Sequence, residues 1–147
     1  MIQRQIRTSA FATVSSLLML LTTGAASAQE KIPNLVGAWK GEATGGAIFG
    51  QLDHEKPTKE PEFKDRTMPW TLTVNKQDGR GLIGTWASSN KSERLIGAIS
   101  IDNETVYFVD EDTHFIGRLQ SENRMELCAR ETGKDSMVAA CFIIDKQ

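Results

Sequence analysis

"LVGAW", residues 35–39, opens a pattern that the chain repeats three more times. Leu82-Ile83-Gly84-Thr85-Trp86 reproduces the spacing in full. Leu95-Ile96-Gly97-Ala98-Ile99 and Phe115-Ile116-Gly117-Arg118-Leu119 keep the two bulky apolar residues and the glycine, with an aliphatic residue in place of Trp. Around these units the chain alternates. Trp70, Leu72 and Val74 are interleaved with Thr71, Thr73 and Asn75, the period of a half-buried strand. Turn-forming clusters punctuate the alternation at Lys76-Gln77-Asp78-Gly79, Ser88-Ser89-Asn90, Asp102-Asn103, Asp110-Glu111-Asp112, Gln120-Ser121-Glu122-Asn123 and Gly133-Lys134-Asp135-Ser136. The pattern predicts eight strands, the first over Val36 to Ala43 and the last over Met137 to Ile144.

Strands joined by turns this short must run antiparallel, because a parallel return needs a crossover of a dozen residues or more. An eight-stranded antiparallel sheet either closes into an up-and-down barrel or leaves two long edges in water, and closure removes the edges. A glycine between bulky neighbours marks a sharp bend or a close backbone approach in such a barrel, and the two residues before it then face inside and outside in turn. A two-sheet sandwich with glycines at the strand crossings is the alternative.

The last hairpin can be given a register. With Lys134 and Asp135 as the two turn residues, paired residue numbers sum to 269. Cys128 then falls opposite Cys141, while Leu127 and Phe142, Met125 and Ile144, and Ala129 and Ala140 pair on the other, more apolar face. Two cysteines in an exported chain read as one disulfide, expected with Cα atoms roughly 4.4–6.8 Å apart.

One connection breaks the rhythm. Thr44 to Arg66 is expected to be a long loop, holding Pro57 and Pro61, a mixed-charge run from Asp53 to Asp65, and the apolar patch Ala47-Ile48-Phe49 as its tip. Loops of this length are often lids or binding segments; this one either folds over one end of the barrel or is an ordinary flexible excursion.

At the front of the chain, Arg4 and Arg7, the apolar run Phe11 to Leu21 and the small residues Ala26-Ser27-Ala28 read as a cleaved signal peptide over residues 1–28. The run is shorter than the ~20 residues that span a bilayer. Residues 29–147 are then a single barrel domain of an exported, periplasmic or secreted protein. Removing the leader takes two of the 17 basic residues and none of the 19 acidic ones, leaving 15 against 19, a charge of −4. That balance argues against nucleic acid as a partner, since phosphate binding needs a basic stripe.

The first strand, "NLVGAWKGE" (34–42), resembles that of the calycin barrels, the lipocalins and avidin-like proteins, which carry a G-x-W motif there, here Gly37 and Trp39. The resemblance implies an up-and-down barrel with that tryptophan near one closed end. It does not extend to biotin ligands: where avidin-like strands continue with a polar residue and an asparagine, this chain has Lys40 and Gly41. "MELCAR" and "VAAC" (125–130 and 138–141), together with "LIGAIS" and "VDED", also resemble a set of small exported bacterial proteins of unknown function, a likeness that implies fold and compartment but no activity.

Catalytic and metal chemistry find little support in the sequence. His54 and His114 are sixty positions apart; Asp110, Glu111 and Asp112 beside His114 lack the spaced oxygen ligands of a cation loop. Serines sit in turns, no G-x-S-x-G elbow occurs, and Glu104, Glu111 and Glu126 are carboxylates of the kind any acidic protein offers. Neither a cofactor nor an enzymatic activity is expected. The aromatic residues are the remaining candidates. Trp39, Trp70 and Trp86 share strand parity with apolar neighbours and should point inward, with Phe108, Phe115, Phe142 and Tyr107 beside them and Phe49 on the loop. They either line a pocket for a small apolar or aromatic molecule at the barrel mouth or simply fill the barrel. A hollow barrel would fit a small-molecule binder; a filled one with a projecting 44–66 segment would fit an inhibitor or accessory protein of the cell envelope.

Overall fold

A computed structural model of the chain describes residues 31–64 and 68–147; the leader expected over 1–28 lies outside the described residues. These residues form nine strands: β1 (Gly37–Gly50), β2 (Thr58–Lys64), β3 (Trp70–Asp78), β4 (Gly81–Ala87), β5 (Ser92–Ile99), β6 (Thr105–Val109), β7 (Thr113–Ser121), β8 (Arg124–Thr132) and β9 (Ser136–Lys146). Every neighbouring pair is antiparallel. From β3 to β9 each strand pairs with the next, and β9 returns to pair with β1 along Trp39 to Gly50. The β1–β9 ladder closes an eight-stranded barrel and excludes the sandwich. No described helix is long and apolar enough to cross a membrane.

The repeated unit now has its physical explanation. In each copy the first bulky residue, Leu35, Leu82, Leu95 or Phe115, is buried, and the second, Val36, Ile83, Ile96 or Ile116, is exposed. In the last three copies the glycine that follows is a point of close approach, whereas Gly37 of the first has a positive φ of 134°. A Cβ on Gly84 would lie 2.0 Å from the Thr73 carbonyl oxygen, on Gly97 2.4 Å from Phe108 Cδ1, and on Gly117 2.5 Å from Met125 Sδ. The missing side chains make room for a neighbouring backbone in one case and for core side chains in the other two.

The last hairpin has the expected register: Cys128 opposite Cys141, Leu127 opposite Phe142, Met125 opposite Ile144, Ala129 opposite Ala140. Cys128 and Cys141 are bridged, with Cα atoms 4.0 Å apart. This is shorter than the expected window and nearest to the spacing of about 4.5 Å that opposite residues of a non-hydrogen-bonded antiparallel pair adopt. The bridge lies on the outer face, where it is consistent with an oxidising environment.

The described part of the expected loop, residues 44–64, departs from expectation, being mostly strand. β1 runs on to Gly50, Thr58–Lys64 forms β2, and only residues 51–57 connect them. Gly41 opposite Trp70 is the last pair that β1 makes with β3; from Gly46 onward β2 takes the vacated edge. Two features hide these strands in the sequence. The β1–β9 register shifts between Ala43 and Gly45, so the buried residues Ala43 and Ile48 have opposite parity. β2, for its part, is an edge strand carrying Pro61 and the charges of Lys59, Glu60, Glu62 and Lys64, the composition by which edges avoid unwanted pairing. A smaller difference is β3, which continues through the expected turn at 76–78 by means of a register shift between Val74 and Lys76.

The lower end of the barrel is closed by the segment before β1. The Leu35 amide donates to Gln77 Oε1 (2.8 Å), Gln77 Nε2 donates to the Pro33 carbonyl (2.9 Å), and the Trp39 indole N–H donates to the Leu35 carbonyl (2.9 Å). Leu35 and Trp39 are completely buried. The interior is packed with Leu72, Val74, Phe108, Leu127 and Ile144 among others, as expected for eight strands, whose enclosed space is just wide enough for side chains.

Candidate functional site

Opposite the Leu35 plug, the barrel mouth is covered by the 51–57 connection, and its aromatic lining begins with two of the expected tryptophans. Trp70 at the start of β3 and Trp86 near the end of β4 stack, with centroids 4.8 Å apart and planes 13° from parallel. Phe115 and Phe142 meet Trp86 edge-on at 5.2 and 5.3 Å, the geometry ring quadrupoles prefer. The His54 ring packs against Trp70 at 4.6 Å, with the planes tilted by 52°. Trp39 is held elsewhere, against Leu35 at the lower end and 5.5 Å beneath the Lys146 ammonium. Phe49 does not join the pair either. It lies opposite Met137 of β9, half-buried on the flank of the barrel.

His54 is the centre of a polar cluster. Its Nε2 is 2.8 Å from Glu93 Oε2, its Nδ1 is 2.9 Å from Ser88 Oγ, and its carbonyl accepts a hydrogen bond from Asn90 Nδ2 at 2.7 Å. Lys91 pairs with both Asp53 and Glu93. Together these contacts fasten the 51–57 connection to the turn between β4 and β5. Burial pushes the Glu93 carboxyl up, but hydrogen bonds from Lys91 and His54 outweigh it and hold the group below its ordinary value. The Lys91 hydrogen bond likewise lowers Asp53, and Lys91 itself is raised well above its ordinary range by Asp53 and Glu93. Two further carboxyls at this end, Asp110 and Glu131, are pushed up by burial.

The order hydroxyl, imidazole, carboxylate is that of a nucleophilic relay. Here the hydroxyl oxygen closes its own turn: Ser88 Oγ accepts the Asn90 amide at 3.1 Å, and the imidazole packs on Trp70. Holding the connection in place is what the geometry accounts for. Asp53, Glu93 and Asp112 bring carboxylate oxygens within 4.8 Å of one another, and the Lys91 ammonium already bridges two of the three.

Below this lid the space is small. A cleft of about 60 Å³ remains between Ile48, Leu52, His54, Phe115, Val138 and Phe142, against the roughly 300–1,000 Å³ of pockets that take drug-sized molecules. A wider apolar groove of about 380 Å³ runs on the outside, over Ala47, Phe49, Pro61, Met137 and Ala139 with Arg130 at its border. Phe63 of β2, opposite Ala47, stands 91% exposed beside it. A depression of about 510 Å³ at the other end lies between residues 31–34 and the polar turns 102–104 and 120–123.

Sequence reasoning missed the cluster. His54 sits on a connection without periodicity, and only its tertiary position reveals its partners. Glu93, however, shares parity with the inward residues Leu95 and Ile99 of β5; a carboxylate in the inward phase of a strand is a legible signal. Comparison with family models, with curated proteins and with solved structures finds no match for this chain, so the calycin likeness is one of barrel architecture.

Proposed function

We propose that the protein is a non-catalytic binding protein that docks a second protein, of the cell envelope or its surroundings, through the β1–β2 hairpin and the groove beside it. The contrast between inside and outside carries this reading. The stacked Trp70 and Trp86 with Phe115 and Phe142 leave a cleft too small for an ordinary ligand, whereas the hairpin presents Phe63 to solvent beside an apolar groove more than six times larger. An exposed aromatic beside a pre-formed groove, on a frame made rigid by a closed sheet and a disulfide, lowers the ordering cost of association. A small apolar molecule under the 51–57 lid is the second reading, supported by the aromatic floor alone. The compartment belongs to the proposal as well: the disulfide suits export, and an intact mass beginning at Gln29 would establish cleavage after Ala28.

A photo-crosslinking residue at position 63, introduced into the protein expressed and exported in its own cell, tests the docking. The expected result is one discrete protein adduct, lost in a Phe49→Ser, Met137→Ser variant whose melting temperature is little changed. Absence of any adduct at position 63, together with a small molecule co-purifying with the native protein, would shift the reading to the lidded cleft.

A further inference from the structure

The repeated unit puts one apolar residue on each side of the sheet, and the core accounts only for the inward one. The outward residues remain in water: Ile83 is 56% exposed, Ile96 59% and Ile116 41%, and Tyr107 on the intervening β6 is 51% exposed. Strand register gathers them. Ile83 lies opposite Ile96 and Ile96 opposite Val109; Ala98 lies opposite Tyr107 and Tyr107 opposite Ile116. The row Ile83-Ile96-Val109 spans β4 to β6, between Lys76 of β3 and His114 of β7, and the row Ala98-Tyr107-Ile116 spans β5 to β7; none of these six side chains is charged. In strand order β3 separates them from the β1–β2 hairpin on one side, and β8 and β9 on the other.

We infer that this outer face of β4–β7 is the contact surface for a second copy of the chain, two barrels packing sheet against sheet. Three observations select that occupant. The four large side chains expose roughly 400 Å² between them, the size of the largest patch a typical monomer leaves and about half of the ~800 Å² per partner in a stable interface, so a contact of that size would also take in the bordering side chains. Stacked sheets pack best when both carry the same twist and the same alternation, and an identical copy presents both. The borders, finally, are of mixed sign. Arg94 and Glu111 flank one side, 3.9 Å apart, and Arg118 and Glu126 are cross-strand neighbours on the other. A two-fold contact sets a surface against itself and so needs both signs on it, whereas a basic or acidic partner would call for one.

Sedimentation equilibrium of the exported chain across the micromolar range is expected to show a reversible monomer–dimer equilibrium. An Ile96→Lys, Tyr107→Glu variant should weaken it by about 100-fold or more, the loss typical of two central apolar anchors, while a Phe63→Ser variant leaves it unchanged. Tyr107 is the chain's single tyrosine, which provides a second readout on the unaltered sequence: its nitration by tetranitromethane should slow as protein concentration rises through the dimerisation range. A chain that stays monomeric throughout, a dimer that survives the double substitution, or tyrosine reactivity independent of concentration would overturn the inference. A dimer dissociated by Phe63→Ser would assign self-association to the hairpin instead and would overturn it equally.

Discussion

Each end of the barrel is crossed by a piece of chain, and the two closures are made of different materials. At the lower end Leu35 and Trp39 are fully buried and held by uncharged hydrogen bonds, to Gln77 and between Trp39 and Leu35, with the Lys146 ammonium added over Trp39 and on the Asn34 carbonyl. At the upper end the 51–57 connection is fastened through Glu93, His54, Lys91 and Asp53, with a single ring contact to Trp70. The first closure is continuous with the core and should open only with the whole fold. The second is a local electrostatic attachment, so it can open while the barrel persists. The end with the separable closure is also the end from which the β1–β2 hairpin, the proposed docking element, departs.

The comparison fails first if the lower plug proves dispensable. Trp39→Ala should cost about 3–5 kcal/mol, the range for emptying a large aromatic site, and should shift CD and fluorescence transitions together in urea. A loss below 1 kcal/mol would mean that the lower closure is as detachable as the upper. Glu93→Gln should cost about 2 kcal/mol, the scale of charge-assisted hydrogen bonds. Its sharper outcome is positional: amide exchange should accelerate at residues 51–57 and 88–91, while β6–β8 retain their protection. Uniform acceleration across the barrel would show that the attachment is part of the global unit.

The smallest expected effect is that of pH. Glu93 and Asp53 have folded values below their ordinary 4.5 and 3.8. The stability they contribute is therefore present above those ordinary values and is lost as pH falls through the lowered ones. Lys91 is raised, so its contribution is present below its ordinary 10.5 and is lost only in strong alkali. The upper closure should thus hold through neutral pH and loosen below about pH 4, read as a change in tryptophan fluorescence when His54 leaves Trp70. Asp110 and Glu131, raised by burial, act in the opposite sense, because protonating them removes a cost. Acid should accordingly move the fluorescence signal before it moves the far-UV CD of the barrel. Coincident acid transitions would erase the distinction between the two ends.

How far the sequence discloses this molecule depends on whether a residue's role is set by its own strand. The inside-outside alternation of Leu82 and Ile83, or of Phe115 and Ile116, is local, and so the barrel strands and the Cys128–Cys141 register are legible. β2 is not, because an edge strand needs no inward phase and Pro61 with four charges imitates a loop. Of the proposed site residues, Trp70 and Trp86 do meet, while Trp39 and Phe49 lie apart. Parity places a side chain inside the barrel but does not say at which end, and the register shift between Ala43 and Gly45 puts Phe49 on the flank. The His54 cluster depends on contacts between residues 34 to 39 positions apart, beyond the reach of any periodicity.

The ladder between β1 and β9 has a kinetic consequence. It joins the first strand of the barrel to the last, with Gly41 opposite Ile144 and Trp39 opposite Lys146, so the sheet cannot close before β9 is available. A nascent segment lacking β9 carries two open edges, and loop-closure entropy must be met across about a hundred residues before the final ladder repays it. Until β9 has joined β1 the strands stay unclosed, the state in which a polypeptide can still be threaded through a narrow channel.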